Sequence, residues 1–307
     1  MKIAIIGAGA MGCLYATMLT KKHEVLLIDV NEDTVNALNM YGITVQSPMG
    51  DEKNYKVKAA LSGSVNESYE LVILFVKDMA SEIALSSNIG IIGKDTVLLS
   101  LQNGMGNYDI MKKFTKEDNI LLGTTKHNCV TLSPGIIFHS GSGVTHIGSP
   151  DKIEQISDKI IGAFKASDIE SEYCDDVNRL LWEKLFINMT INSVTSLLDC
   201  KIKTIVDDSY ARSIAEALIR EAVEVAKHDG ENFEYEKVID DVIKTAVQLA
   251  PGKASMCQDM EHKRKTEIDF INGAVIKLGE KYKIPTPTHK TIVNLIHAKE
   301  NLYLQNK

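Results

Sequence analysis

One stretch near the start restricts the fold more than any other. Residues 2–6 (Lys-Ile-Ala-Ile-Ile) form an apolar run and end on Gly7-Ala8-Gly9-Ala10-Met11-Gly12. A helix-like apolar stretch follows over residues 10–22. Strand, G-x-G-x-x-G loop and helix in that order open a dinucleotide-binding βαβ unit. The first glycine makes the tight turn, the second lets backbone approach a pyrophosphate, and the third lets helix and strand pack closely. The helix N-terminus then offers free N–H groups and partial positive charge, here from Gly9, Ala10 and Met11 onward. The competing reading is that the glycines only make a tight turn. Asp29 weighs against it: it ends a second apolar run (24–29), 22 residues after Gly7. An acidic residue there bonds the adenosine ribose hydroxyls and repels a 2′-phosphate, which favours NADH over NADPH. Its alternative role is a helix cap, for which Asn31 and Asp33 are also placed.

The alternation continues. Residues 32–40 pattern as a helix, and 71–76 and 96–101 read as buried strands. Strands alternating with helices give a parallel sheet covered on both faces. Residues 136–139 and 144–147 flank Ser140-Gly141-Ser142-Gly143 and read as a β-hairpin. Beyond about residue 176 the chain reads as helix throughout, over 177–198, 210–228, 236–249, 258–282 and 288–304. Gly230 stands where a glycine ends a helix, and Pro251, Pro285 and Pro287 stop others. The expected fold is an α/β Rossmann-like dinucleotide-binding domain over residues 1–175, followed by an all-α substrate and catalytic domain over 176–307.

At 307 residues the chain is long enough for two cores. Its net charge of −7 argues against nucleic acid as a partner, because such binding needs a basic face. Lys263-Arg264-Lys265 is a local basic run that could still take an anion. No apolar run approaches the roughly 20 residues of a membrane span. Gly7, Gly9 and Gly12 interrupt the N-terminal apolar run that a signal peptide would need. The five scattered cysteines fit neither a disulfide framework nor a metal site. The expectation is a cytoplasmic protein with reduced thiols and no metal.

The second half carries an unusual stripe. Lys184, Asn188 and Asn192 recur every four residues, flanked by Ile187 and Ile191 on one side and Leu185 and Met189 on the other. Amides and an ammonium between apolar flanks need partners. A bound carbonyl or oxyanion would supply them, and so would an interhelical ladder. In a helix over 258–282, Glu267 falls on the apolar face of Met260, Ile271, Ala274 and Leu278, where Lys263 or Lys184 could pair with it. Asp269 then points to solvent, and Ser255 either caps the helix or meets a ligand. Lys77 and Asn103 follow strands at the sheet edge where ligands bind, although each also suits a plain loop.

Taken in order, these motifs resemble the ketopantoate reductase (2-dehydropantoate 2-reductase) family. They are Gly7-x-Gly9-x-x-Gly12, Val76-Lys77, Leu101-Gln102-Asn103-Gly104, Trp182-Glu183-Lys184-Leu185 with Asn188 and Asn192, Ser255-Met256 with Asp259, and Thr266-Glu267-Ile268-Asp269 with Asn272-Gly273. The resemblance implies reduction of a 2-oxo acid to the D-(R)-2-hydroxy acid by NADPH or NADH, with ketopantoate going to pantoate in pantothenate and coenzyme A biosynthesis. It implies an active site in the cleft between the domains. Lys184 would be the general acid, and Glu267 would orient Lys184 or hold a substrate hydroxyl. Asn103, Asn188, Asn192 and Ser255 would position the substrate. Gly7, Gly9, Ala10, Met11, Gly12, Asp29, Lys77, Asn103 and Glu267 would meet the cofactor.

Two features depart from the family. Members that use NADPH carry a basic residue near Asp29, and the turn at Leu197-Leu198-Asp199-Cys200-Lys201 lacks the expected Asn or Gly. Both features look more like the NAD-dependent D-2-hydroxyacid dehydrogenases of the same superfamily, which act on bulkier acids such as those giving D-mandelate. A non-catalytic dinucleotide sensor is the alternative of another class, and it has no need of a proton donor at Lys184. The expected partner is a small 2-oxo acid. A homodimer is open, since no heptad or large apolar stripe demands one.

Overall fold

The computed structural model describes residues 1–151 and 154–304. The chain divides into two compact units. One comprises Met1–Gln102 and Asn107–Leu180, the other Asn103–Gly106 and Leu181–Lys307.

The first unit is α/β. Its strands are β1 (Lys2–Ile6), β2 (Glu24–Asp29), β3 (Ile43–Gln46), β4 (Glu52–Tyr55), β5 (Lys58–Leu61), β6 (Leu71–Leu74), β7 (Val97–Ser100), β8 (Ile120–Thr125), β9 (Asn128–Ser133), β10 (Ile136–Gly141), β11 (Thr145–Gly148) and β12 (Ser171–Tyr173). Its helices are α1 (Ala10–Leu19), α2 (Glu32–Tyr41), α3 (Ser81–Ser87), α4 (Asn107–Met111) and α5 (Glu154–Ala166). Eight strands form one sheet in the order β12-β11-β8-β7-β6-β1-β2-β5. The pairs from β8 to β5 are parallel, and β11 joins β8 antiparallel. Residues Ile3 to Ile6 and Leu71 to Leu74 are almost wholly buried. Such strands are covered on both faces, so they read as unbroken apolar runs.

The expected hairpin over residues 136–147 is not formed. β10 pairs with β9 and β3 in a separate four-stranded sheet, whereas β11 joins the main sheet. β10 instead makes a hairpin with β9 through Pro134-Gly135, with Gly135 at φ +75°. Proline presets the first turn position, and glycine accepts the left-handed second one.

The second unit is helical. Its elements are α6 (Val177–Ile187, which begins in the first unit), α7 (Ser193–Leu198), α8 (Thr204–Asp207), α9 (Ser209–His228), α10 (Tyr235–Gln248), α11 (Ser255–Glu261), α12 (Asn272–Tyr282) and α13 (Pro287–Leu304). Its core gathers Trp182, Phe186, Met189, Leu218, Val242, Ile268 and Ile296, separate from the core around the main sheet. Asp208 caps α9 by accepting from the Tyr210 and Ala211 N–H groups. Gly230 (φ +99°) ends it as the pattern requires, with Gly230 N–H donating to Lys227 O and Glu231 N–H to Ala226 O. Among the described residues, no helix is long and apolar enough to cross a membrane.

The expected helix over 258–282 is broken. α11 ends at Glu261, Lys263 turns left-handed at φ +54°, and a short 3₁₀ turn (Ile268–Phe270) precedes α12. Glu267 therefore lies on no helix face. It is the residue before the 3₁₀ turn and is half-buried. Asp269 is not simply solvated, because its Oδ1 lies 2.9 Å from His297 Nε2. Arg264 of the basic run donates to Asp259 at 2.9 Å.

Candidate functional site

In the first unit the glycine loop and Asp29 are built together. Gly7 adopts φ +106°, and a Cβ there would lie 2.8 Å from the backbone at Phe75 and Val76. A Cβ on Gly12 would fall 1.8 Å from Gly7 O. A Cβ on Gly9 would meet nothing within 4 Å, so this loop face is open where a phosphate would approach. No side chain caps α1 at Gly9. The first-turn N–H groups around half-buried Ala10 and Met11 are thus left for a ligand or water. Asp29 accepts from Ala8 N–H at 2.8 Å through Oδ2 and from Asn31 N–H at 2.9 Å through Oδ1. Asn31, not Asp29, caps α2 by accepting from Thr34 N–H. A carboxylate has about four acceptor positions, so Asp29 keeps capacity for hydroxyl donors. These residues fit a dinucleotide.

Lys77 follows β6, is half-buried, and precedes the buried Asp78. A network absent from the sequence reading fixes this loop. Gln102 Nε2 donates to Val76 O at 2.7 Å and to Ser81 Oγ at 2.8 Å, while Ser100 Oγ donates to Gln102 Oε1 at 2.9 Å. Asn107 Nδ2 donates to Asp78 Oδ1 at 2.6 Å. Gln102 spends its amide between the loops after β6 and β7, immediately before Asn103. The only sequence signal was its place in Leu-Gln-Asn-Gly.

The second unit holds the remaining candidates. Asn103 lies in the segment Asn103–Gly106, where Met105 N–H donates to Phe270 O at 2.9 Å, three residues past Glu267. Gly104 (φ +82°) allows that approach, since a Cβ there would meet Phe270 O at 2.4 Å. Lys184 lies on α6. Asn188–Asn192 form a π-turn that leads into α7. An α-helix drifts about 80° over eight residues, and the wider i→i+5 turn takes back part of that drift. The stripe Lys184, Asn188, Asn192 is thereby kept closer to one line than a regular helix would hold it.

Hydroxyls serve the carbonyls around this π-turn. Thr190 donates to Phe186 O, Ser193 to Met189 O and Thr195 to Ile191 O. Asn272 Nδ2 also donates to Met189 O, at 3.1 Å. Asn192 is 8% exposed. Asn188 Nδ2 is buried and has no hydrogen-bond partner among the described residues. Ser255 does not cap α11, because Ala254 holds the cap position and Ser255 is the first helical residue, exposed. α11 packs against α7 and the π-turn. The turn at Asp199 departs from expectation in residue type only. Asp199 takes φ +48°, the conformation an Asn or Gly would take there.

His289 supports the π-turn from behind. Its Nε2–H donates to Leu218 O at 3.1 Å, and its Nδ1 accepts from Asn272 Nδ2 at 3.3 Å, so the ring is neutral. Burial pushes its pKa down from 6.5 to about 4. Between these values the unfolded chain binds a proton that the folded chain does not, so stability falls as pH drops from 6.5 to 4. At 1.36 kcal/mol per unit the loss reaches up to about 3 kcal/mol. Urea unfolding at pH 7 and pH 5 should show about 2 kcal/mol of this loss, and His289→Gln should remove about one proton from the dependence. A pH slope unchanged in the variant would refute the assignment.

The comparisons with known proteins agree with this geometry. The family model described as "Ketopantoate reductase PanE/ApbA" matches residues 3–152, and its C-terminal counterpart matches 176–300. A 2-dehydropantoate 2-reductase from Streptococcus pyogenes serotype M3 is 34% identical over 98% of both chains. The chain belongs to the ketopantoate reductase family. Among ketopantoate reductase relatives, the 2-dehydropantoate 2-reductase of Pyrococcus abyssi is 31% identical over 98% of this chain and 99% of its own. The fold is also close to that of D-mandelate dehydrogenase solved with NADH and anilino(oxo)acetate. That match has a TM-score of 0.93 and 31% identity, and it covers 99% of both chains.

Proposed function

We propose that this ketopantoate reductase family member reduces ketopantoate to D-(R)-pantoate and that Lys184 is the general acid. Membership of the family makes the chain a nicotinamide-dependent oxidoreductase acting on a small 2-oxo acid. The observation that supports the substrate site best is the buried, unpartnered Nδ2 of Asn188, one turn from Lys184. An unsatisfied buried donor costs about 1–3 kcal/mol, which a bound carboxylate or hydroxyl oxygen would recover.

When bound, the nicotinamide supplies the hydride. The chain's own residues do the rest. The Lys184 ammonium stabilises the charge growing on the ketone oxygen and gives that oxygen a proton from Nζ. Glu267 orients Lys184 or holds a substrate hydroxyl. Asn188, Asn192 and Ser255 hold the hydroxyl and carboxylate ends. The N–H groups at Gly9, Ala10 and Met11 receive the pyrophosphate, Gly7 and Gly12 shape their loop, and Asp29 takes the ribose hydroxyls. Lys77 and Asn103 serve the nicotinamide side. Oxidation of NADH and NADPH followed with ketopantoate tests the reading, and no turnover would refute it.

The preferred cofactor is NADH, because Asp29 places a negative charge where a 2′-phosphate would sit. Asp29→Asn keeps an acceptor for Ala8 N–H and removes the charge. The ratio of kcat/KM for NADH over NADPH should fall about tenfold, the equivalent of about 1.4 kcal/mol. An unchanged ratio would remove Asp29 from cofactor choice.

A second reading has its own observation. Asp29, together with the likeness to D-mandelate dehydrogenase bound to NADH, favours a bulkier 2-oxo acid. Turnover of phenylglyoxylate without turnover of ketopantoate would select it.

A further inference from the structure

A buried carboxylate outside the proposed chemistry stands behind Glu267. Glu300 of α13 is 2% exposed, and its Oε1 accepts from both the N–H (2.7 Å) and the Oγ1 (2.6 Å) of Thr266. Its Oε2 lies 2.9 Å from His297 Nδ1, and His297 Nε2 lies 2.9 Å from Asp269 Oδ1. Thr266 and Asp269 lie on either side of Glu267. The chain is therefore gripped from α13 one residue before Glu267 and two residues after it. Lys263 at φ +54° and the 3₁₀ turn Ile268–Phe270 leave this stretch without a helix of its own to fix it.

We propose that Glu300 and His297 are positioning residues for the reduction, fixing the loop that presents Glu267. The inference rests on Glu267 acting in the reaction as described above. With a carboxylate at each ring nitrogen, imidazolium can donate at both ends. Burial opposes the charge, but the hydrogen bonds to Glu300 and Asp269 prevail and raise the His297 pKa. Several charged groups on α13 and on the elements packed around it have partners of their own. Glu221 of α9 accepts from the Thr288 and His289 N–H groups, and Lys299 donates to Ser196 O and Leu197 O. Glu280 of α12 pairs with Lys290 at 3.0 Å, and Lys277 lies over the Phe270 ring. A protonated His297 holds both carboxylates, and its deprotonation leaves Asp269 and Glu300 without a shared cation.

Two variants of the full-length enzyme test this. Glu300→Gln keeps an acceptor for Thr266 but loses the charge facing His297. His297→Gln changes a residue that is one-third exposed, so it should fold even where the buried Glu300 substitution does not. Each should lower kcat about tenfold or more, with KM for the 2-oxo acid and Kd for NADH changed less than threefold. In the wild type, an alkaline limb of kcat should follow the His297 titration seen by NMR, and that limb should be lost in His297→Gln. Wild-type kcat in both variants would overturn the proposal. Hydrogen exchange separates this result from failure of the function itself. Even if no 2-oxo acid is reduced, the Glu267 and Ile268 amides should exchange at least tenfold faster in either variant. Unchanged exchange at both would equally overturn it.

Discussion

Lys184→Ala is expected to lower kcat for 2-oxo acid reduction about 10²- to 10⁴-fold, the range for losing a positioned general acid. The KM for the 2-oxo acid should change far less than kcat. In the proposed reaction, hydride arriving at the carbonyl carbon builds negative charge on oxygen, and the ammonium would meet that charge chiefly in the transition state. Lys184→Arg should not restore the rate, because a guanidinium keeps the charge but gives up its proton only above the working pH range. NADH binding, read by fluorescence, should be unchanged in both. A Lys184→Ala enzyme with near-normal kcat would move the proton source elsewhere. The helix context makes the variant interpretable. Alanine is the best helix former, and Thr190, Ser193, Thr195 and Asn272 hold the carbonyls of the adjoining π-turn.

Gly12→Ala should have the other large effect, and the contrast with Gly9→Ala makes it specific. A Cβ on Gly12 falls 1.8 Å from Gly7 O and 3.1 Å from Gly7 C, both backbone atoms with little room to yield. Relief requires α1 to move away from the glycine loop, and such overpacking costs about 1–3 kcal/mol or more. That lowers Tm by several degrees, at roughly 2–4 °C per kcal/mol for a unit of this size. It also raises the Kd for NADH at least tenfold, because the α1 N–H groups shift with the helix. Gly9→Ala meets no protein atom within 4 Å, so its Tm should hold while its Kd for NADH rises about as much. Calorimetry and NADH titration on both variants check the pair. Equal Tm losses would mean that the Gly9 face is structural. Unchanged Kd values would mean that the loop does not bind the pyrophosphate.

The elements legible in the sequence are those whose cause is local. β1, the glycine loop and α1 follow from an apolar run, three glycines and a second apolar run. Asp208 and Gly230 bound α9 by cap chemistry that the chain spells out. Features set by distant partners were misread. Ser140-Gly141-Ser142-Gly143 has turn composition, yet β10 and β11 go to different sheets, because strand pairing is settled by neighbours far along the chain. The helix expected through 258–282 stops at the left-handed Lys263, where Arg264 N–H closes on Asp259 O, and Thr266 then bonds a carboxylate 34 residues away, which no periodicity records.

The candidate site divides along the same line. Lys184, Asn188 and Asn192 were visible as a stripe, but the π-turn that realigns them adds a backbone step with no side-chain signature. Gln102, His289, His297 and Glu300 were missed as supports. Single polar residues in apolar surroundings show their partners only once the chain is folded.

The most direct measurement of the central claim follows the hydride. Ketopantoate is incubated with enzyme and NADH carrying deuterium at nicotinamide C4, and the product is resolved by chiral chromatography and NMR. The expected product is pantoate of the D-(R) series with deuterium at C2 and a hydroxyl proton from solvent, formed at a rate that collapses in Lys184→Ala. Absence of labelled pantoate, with none formed from NADPH either, would contradict the account.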